Sequence, residues 1–334
     1  MTQVPAGVYR GAPADIAPIA AYERFLGRQV TYVVAFMADT PASWAQFEAG
    51  TLAASTNGGP GPHTAADWAP ILGGRKLALA VPACCMGSTW ADEAAGKNDQ
   101  HWAALARTLI TAGLGNSTLR IAREFNGSWY RWTVNGGNAA AYRTAYARIV
   151  TVMRGVPGAA FRFCWNPCLG QGTFGPGSGA ETAWPGAGVV DEIGLDVYDG
   201  DWAGIYPGHA DQITTTQQQQ VWDGMLTEWD SLRGWYNVAR GAVPAMPVPA
   251  GGIPLSFPEW GLRTWMDGGT YHGGGDNAIL IRGMAEFITG CGAAWHALWE
   301  DPLRGVADPD TAPGRLCAVP MARAAFLGMF GATA

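Results

Sequence analysis

"VTYVVAFMA", residues 30–38, is nearly continuous in apolarity and rich in β-branched and aromatic side chains. A strand with one face in water alternates polar with apolar residues. A strand without that alternation is covered on both faces, as in a parallel sheet flanked by helices. Runs of the same kind return along the chain. They are read at 6–12 ("AGVYRGA"), 76–83 ("KLALAVPA"), 118–126 ("TLRIAREFN"), 159–167 ("AAFRFCWNP"), 190–199 ("VDEIGLDVYD"), 253–262 ("IPLSFPEWGL") and 291–300 ("CGAAWHALWE").

Helical patterns separate these runs: 13–26, a segment opened by Pro41, 100–113, 138–153, 217–239, 277–290 and 317–330. In 100–113 the residues Trp102, Leu105, Leu109 and Ile110 form one apolar stripe. Eight strands alternating with helices over 334 residues predict an α/β fold, a (β/α)8 TIM barrel forming a single domain over 1–334. The competing architecture is a doubly wound open sheet. Its first turn would carry a glycine-rich phosphate loop, and "VYRGAPADIAP" has no G-x-G-x-x-G.

Composition narrows the function. Charged residues make up only 14% and the net charge is −6, so there is no basic footprint for nucleic acid. No apolar run reaches the length of a membrane span, so no membrane insertion is expected. Residues 1–12 lack the charged start and apolar core of a secretory leader. The expected setting is extracellular or virion-associated, reached after removal of a leader or by another route such as a virion. Six cysteines (Cys84, Cys85, Cys164, Cys168, Cys291, Cys317) lack paired C-x-x-C spacing. They read as buried small hydrophobes, with room for one or two disulfides.

In a barrel of this kind the chemistry lies at the carboxyl ends of the strands. Those ends read Arg10, Asp39, Cys84/Cys85, Arg123/Glu124, Asn166, Tyr198/Asp199, Glu259 and Trp299/Glu300. They hold no histidine cluster and no phosphate cradle, and imply neither a metal nor a cofactor. A lone strand-end glutamate reads as a surface salt bridge. Glu124 and Glu259 are two, on strands roughly across the mouth, and each is flanked by aromatics ("EFNGSWYRW" and "FPEWGL"). A carboxyl pair facing a sugar is the equipment of glycosidic bond hydrolysis, one protonating the leaving oxygen and the other attacking or activating water.

Alternation along the strands places Arg120 and Asp196 inward beneath the pair, where they are expected to form a buried ion pair. The same alternation points Arg123 outward unless the strand has already ended. Sixteen tryptophans are a high load, and sugars stack on aromatic faces. Trp129, Trp132, Trp165, Trp202, Trp260, Trp265 and Trp299 fall at or just after strand ends, so a glycan cleft is expected at that rim. The Gly-rich loop 168–188, with Trp184, is a candidate wall of it. His296 reads as a satisfied wall residue, His209 and His272 as loop residues near the mouth, and "ADPDTAPG" (307–314) as a capped turn rather than a calcium loop.

"RIAREFNGSWYRW" resembles the strand-four motif of glycoside hydrolase family 26 through Arg120, Glu124, Asn126, Gly127 and Trp129. "VDEIGLDVYDGDW" resembles the family's strand-six segment through Gly194, Leu195, Asp196 and Tyr198, and "PLSFPEWG" its strand-seven nucleophile segment. The resemblance implies a retaining glycosidase, β-mannanase-like, acting on a polysaccharide or oligosaccharide. Glu124 is then the acid/base and Glu259 the nucleophile, with Tyr198 its hydrogen-bond partner. Arg123 stands where the family usually has histidine, which leaves an acidic glycan as open as β-mannan. The substrate-binding set expected is Arg123, Asn126, Asn166, Tyr198, Trp129, Trp202, Trp260 and Trp299, supported by Arg120 and Asp196. Two rival readings remain. One is a non-catalytic glycan-binding or phage-tail adsorption barrel, which needs neither glutamate. The other is a barrel lyase or isomerase, which wants a Lys, Tyr or His base or a metal.

Overall fold

The apolar runs become strands β1 (Ala6–Tyr9), β2 (Tyr32–Phe36), β3 (Lys76–Val81), β4 (Thr118–Ile121), β5 (Arg162–Trp165), β6 (Glu192–Tyr198) and β7 (Leu255–Gly261). A small antiparallel hairpin, β8 (Met266–Asp267) and β9 (Thr270–Tyr271), precedes the last one, β10 (His296–Trp299). This computed structural model describes residues 3–11, 16–53, 63–170, 180–200, 204–227, 231–263, 266–267, 270–300 and 318–332. All strands but the hairpin pair in parallel, in the order β1-β10-β7-β6-β5-β4-β3-β2, and β1 pairs with β2 to close the ring. The (β/α)8 barrel expected from the sequence is therefore observed, with elements of one barrel running from Ala6 to Phe330.

The helices are α1 (Ala17–Leu26), α2 (Trp44–Glu48), α3 (Ala65–Ile71), α4 (Trp90–Ala94), α5 (Asp99–Thr111), α6 (Ala139–Arg154), α7 (Thr215–Thr227), α8 (Leu232–Ala239), α9 (Ala278–Gly290) and α10 (Pro320–Phe330). Local chemistry sets their limits. Thr89 and Asp92 form a capping box at α4, and Asn277 accepts the Leu280 N–H at the start of α9. The single helix expected over 217–239 is two. Ser231 accepts the Gly234 N–H and starts α8 afresh. α6 buries Tyr142, Ala145, Tyr146, Ile149, Val150 and Met153 at helical spacing against the outside of the barrel. Each large side chain so buried contributes about 1.5–3 kcal/mol. No helix among the described residues is long and apolar enough to cross a membrane.

The barrel interior has its own cluster: Tyr32, Val34, Phe36, Ala78, Ala80, Trp295 and Ala297. Small residues on β3 face large ones on β2, which fills the tapering interior.

Two departures from regular geometry position the site. β4 ends at Ile121, well short of the 118–126 run, because Ala122 (φ 53°) and Glu124 (φ 49°) are left-handed. Strand alternation therefore stops before Arg123. β7 carries one extra residue. Gly194 pairs with Ser256 but Asp196 with Glu259, and His296 pairs with Phe257 but Leu298 with Trp260. Pro258, which has no N–H to give, sits at this bulge. Opposite it, Gly194 leaves room that a side chain would fill, since a Cβ there would lie 2.8 Å from Pro258 Cγ.

Candidate active site

The floor of the barrel mouth is one arginine. Arg120 is fully buried on β4, donates from Nη2 to Asp196 Oδ2 at 2.8 Å, and from the same nitrogen to Glu259 Oε1. Its Nε donates to Asn166 Oδ1 at 2.5 Å. The ion pair expected between Arg120 and Asp196 is present, and Glu259 joins it. The β7 bulge makes this possible by bringing both Ser256 and Glu259 to the inner face. Tyr198 on β6 donates its hydroxyl to the other oxygen, Glu259 Oε2, at 3.0 Å. Glu259 is thus gripped at both oxygens and is only 4% exposed.

Glu124 reaches the mouth from the left-handed turn after β4. Its backbone N–H donates to Asn166 O at 2.7 Å, which fixes the turn against the end of β5. Its side chain is half-buried, and Oε2 accepts the Trp129 indole N–H at 2.8 Å. The Trp129 ring folds back over Gly127, where any Cβ would collide with it. That is the physical content of the Asn-Gly-x-Trp spacing. One carboxylate oxygen from each of Glu124, Asp196 and Glu259 lies within 4.8 Å of the others.

The two glutamates differ in charge state. Burial and the neighbouring negative charge of Glu259 push Glu124 up to about 7, against the pull of Arg123, the Trp129 hydrogen bond and Arg120. Burial also works against the charge of Glu259, but Arg120 and Arg123 more than offset it and hold this carboxyl below its ordinary value. Burial drives Asp196 well above the usual carboxylate range, opposed by Arg120 and reinforced by both glutamates. Near neutral pH the ionised Glu259 therefore stands between two carboxyls, Glu124 and Asp196, that are both pushed toward the protonated form.

Arg123 is turned into the mouth, since the strand has ended before it. Its guanidinium makes two bonds to Asp39, Nη1 to Oδ1 at 3.0 Å and Nη2 to Oδ2 at 3.3 Å, and Nη2 also donates to Tyr130 at 2.9 Å. Nε lies 3.9 Å from Glu259 Oε1. The cation rests over the rings of Phe36 (4.5 Å) and Tyr130 (4.6 Å). Trp299, at the end of β10, packs on Tyr9 with centroids 4.0 Å apart, on Phe36 at 5.1 Å and edge-on to Tyr198 at 6.2 Å. These contacts form a continuous wall from Glu259 to Asp39.

Several expected sugar contacts are scaffold instead. Trp260 follows Glu259 and so points out of the barrel, fully buried, with its N–H donating to His296 Nδ1 and its ring against Phe326 and Phe330 of α10. Asn166 is wholly buried under Arg120. Asn126 is 1% exposed and spends its amide on the next loop, donating to Cys168 O and Gly170 O and accepting the Cys168 N–H. Trp132 is buried and donates to Arg123 O, while Trp165 packs against Phe125, Trp184 and Trp235. His296 is a buried wall residue but only half satisfied, Nδ1 accepting from Trp260 while Nε2 has no hydrogen-bond partner among the described residues, and burial pushes its imidazole down to about 3. The five described cysteines are free thiols, so none of the disulfides for which the sequence left room forms among them. Trp202, Trp265, Cys317, residues 171–179 of the Gly-rich loop and the 307–314 turn lie outside the described residues. Tyr130, Phe36 and Tyr9 join the site without having been assigned to it, and Asp39, read only as a strand end, joins it as the partner of Arg123.

Among the described residues, Glu124, Asp196 and Glu259 are the one group close enough to share a cation. Arg120 and Arg123 already supply positive charge there, so the donor set suits proton and nucleophile chemistry rather than a metal.

No family model matches the sequence, and no curated protein matches it. Solved structures do match in fold. An endo-β-1,4-mannanase double mutant of Cellulomonas fimi aligns over 98% of this chain and 70% of its own, at 15% identity and a TM-score of 0.60. The catalytic domain of a family 26 endo-β-1,4-mannanase from Bacillus sp. JAMB-750 aligns over 99% and 87%, at 15% identity and TM-score 0.56. A family 26 β-mannanase from Bacteroides ovatus aligns over 98% and 88%, at 13% identity and TM-score 0.56. At such identities the likeness is one of fold, and it falls on the same glycoside hydrolase family 26 that the strand-four, strand-six and strand-seven motifs resemble.

Proposed function

We propose that this barrel is a retaining glycoside hydrolase acting on a β-mannan-like polysaccharide or oligosaccharide. The observation that carries the reading is the pair Glu124 and Glu259: adjacent, oppositely tuned, and set beneath an exposed tryptophan. In a retaining reaction the two carboxyl groups stand about 5–5.5 Å apart, against about 6.5–9.5 Å when a water must fit between them. Oxygens of Glu124 and Glu259 lie within 4.8 Å of each other, close enough for both groups to reach one glycosidic bond. Glu259, ionised, attacks the anomeric carbon, and Glu124 delivers its proton to the departing glycosidic oxygen. A glycosyl–Glu259 ester results. Glu124, now a carboxylate, takes a proton from water as that water displaces Glu259, which restores both groups. Tyr198 and Arg120 hold the two oxygens of Glu259, and Trp129 offers a stacking face beside the leaving group. A polymeric glycan is met outside cells, which fits an extracellular or virion-associated site of action.

The test is a polysaccharide panel that includes β-1,4-mannan, followed by mass spectrometry and by NMR of the first-formed anomer. Wild type is expected to release oligosaccharides of unchanged anomeric configuration. Glu259→Ala should lose hydrolysis altogether. Glu124→Ala should still cleave aryl glycosides with good leaving groups. Binding without any release of reducing ends would leave an adsorption barrel, and an inverted product would remove Glu259 as nucleophile.

A further inference from the structure

The Asp39 carboxylate is the exposed end of an otherwise buried arrangement. The Arg123 side chain is 8% exposed and that of Asp39 is 40% exposed. Both Asp39 oxygens are tied to the Arg123 fork, so the carboxylate is held in one orientation. Each oxygen keeps lone pairs that a further donor can reach. The group stands just beyond β2, at the carboxyl-end rim, and the wall Tyr198–Trp299–Phe36–Arg123 joins it to Glu259. Through Arg123 and Tyr130 it also leads to Trp129, whose ring centroid stands 6.3 Å from that of Tyr130, so Asp39 lies on the rim of the mouth that both glutamates share.

Charge makes the arrangement more specific. Arg123 faces Glu259 with its Nε and Asp39 with its two terminal nitrogens, so both ends of the cation are answered by carboxylates. An acidic sugar arriving here meets Asp39 first, not the guanidinium.

Resting on the glycosidase reading, we infer that Asp39 is a substrate-contacting, specificity-determining residue. It accepts hydrogen bonds from hydroxyls of the bound sugars and, by its charge, turns away sugars carrying a carboxylate. Arg123 is the positioning residue that orients it. This reverses what the arginine alone suggests, which is an anion-binding subsite.

The experiment uses two probes that differ only at C6, β-1,4-mannohexaose and the corresponding β-1,4-mannuronate hexamer. Binding is measured by calorimetry to Glu124→Ala, in which turnover of the natural linkage is suppressed, with and without a change at Asp39. Asp39→Asn is expected to weaken binding of mannohexaose about tenfold and to strengthen that of the mannuronate relative to it. Asp39→Glu keeps the charge that neutralises Arg123 but moves the oxygens outward by a methylene. It should keep the rejection of mannuronate yet still bind mannohexaose several-fold more weakly. Thermal melts of each variant report folding separately. Equal losses on both probes, an Asp39→Glu variant indistinguishable from its parent, or no binding of mannohexaose to Glu124→Ala overturns the inference. Failure of wild type to hydrolyse any glycan counts against the proposed reaction instead, because the binding comparison needs no turnover.

Discussion

Trp129 donates its indole N–H to Glu124 Oε2 at 2.8 Å while leaving 53% of its own surface in solvent. The bond favours the ionised form of Glu124, against the burial and the Glu259 charge that push the group up to about 7. In the proposed reaction Glu124 is the proton donor, so kcat/KM should fall as pH rises through about 7. The acid limb, if Glu259 is the nucleophile as proposed, should lie below the ordinary glutamate value. Trp129→Phe removes a donor to the carboxylate and should move the alkaline limb upward. Profiles of kcat/KM on an aryl glycoside check this; a downward shift would contradict it.

The same group links stability to pH. A carboxyl whose pKa is higher folded than unfolded favours the folded state at low pH and loses that contribution as pH rises through the folded value. For Glu124 the loss should run between the ordinary glutamate range and about pH 7. Glu124→Gln, neutral throughout, should therefore melt a few degrees above wild type at pH 8 and close to it at pH 5. Calorimetry at both pH values reads the difference.

Arg120 joins Asp196 and Glu259 beneath the mouth. Arg120→Met takes the shared cation from Asp196 and leaves Glu259 only the more distant Arg123, and should cost about 3–5 kcal/mol in urea unfolding, with activity lost. Arg120→Met with Asp196→Asn should recover part of that stability and none of the activity. Recovery of both would make the arginine a staple only.

Tyr198→Phe removes the hydrogen bond to Glu259 Oε2 and keeps the ring. A hydrogen bond to a charged group is worth about 1.5–3 kcal/mol, so kcat/KM should drop about ten- to hundredfold. The melting temperature should stay within a degree or two, and steady-state kinetics beside a thermal melt separate the two effects.

Asn126, by contrast, belongs to the scaffold. Asn126→Ala leaves the Cys168 N–H and two carbonyls without their partners and should destabilise by about 1–3 kcal/mol. Relative activity across the glycan panel should not change. A variant of full stability and altered preference would return Asn126 to the substrate side.

The barrel was legible because strands covered on both faces have a plain signature, as in residues 30–38. That Glu124 and Glu259 come together at the mouth was legible because both stand where such runs end. What escaped notice was backbone irregularity. Nothing in "IARE" marks Ala122 and Glu124 as left-handed, since non-glycine residues there cost energy that only tertiary contacts repay. Those two angles turn Arg123 from an outward position into the mouth. The β7 bulge at Pro258, which breaks the alternation, sends Trp260 outward beneath α10. Tryptophans such as Trp132 and Trp165 could not be sorted from Trp129 by position alone, because core and cleft use the same ring surface.

The free thiols have a use beyond the chemistry of the site. Burial drives Cys164 and Cys168 well above the ordinary thiol range, and takes Cys85 up to about 12 and Cys291 up to about 11. Alkylation requires thiolate and access together. Cys164 sits on β5 inside the barrel wall and Cys168 just past its end, so reagent reaches them only when that wall parts. Their labelling rate is thus a built-in clock for opening of the barrel, readable by mass spectrometry without an added probe.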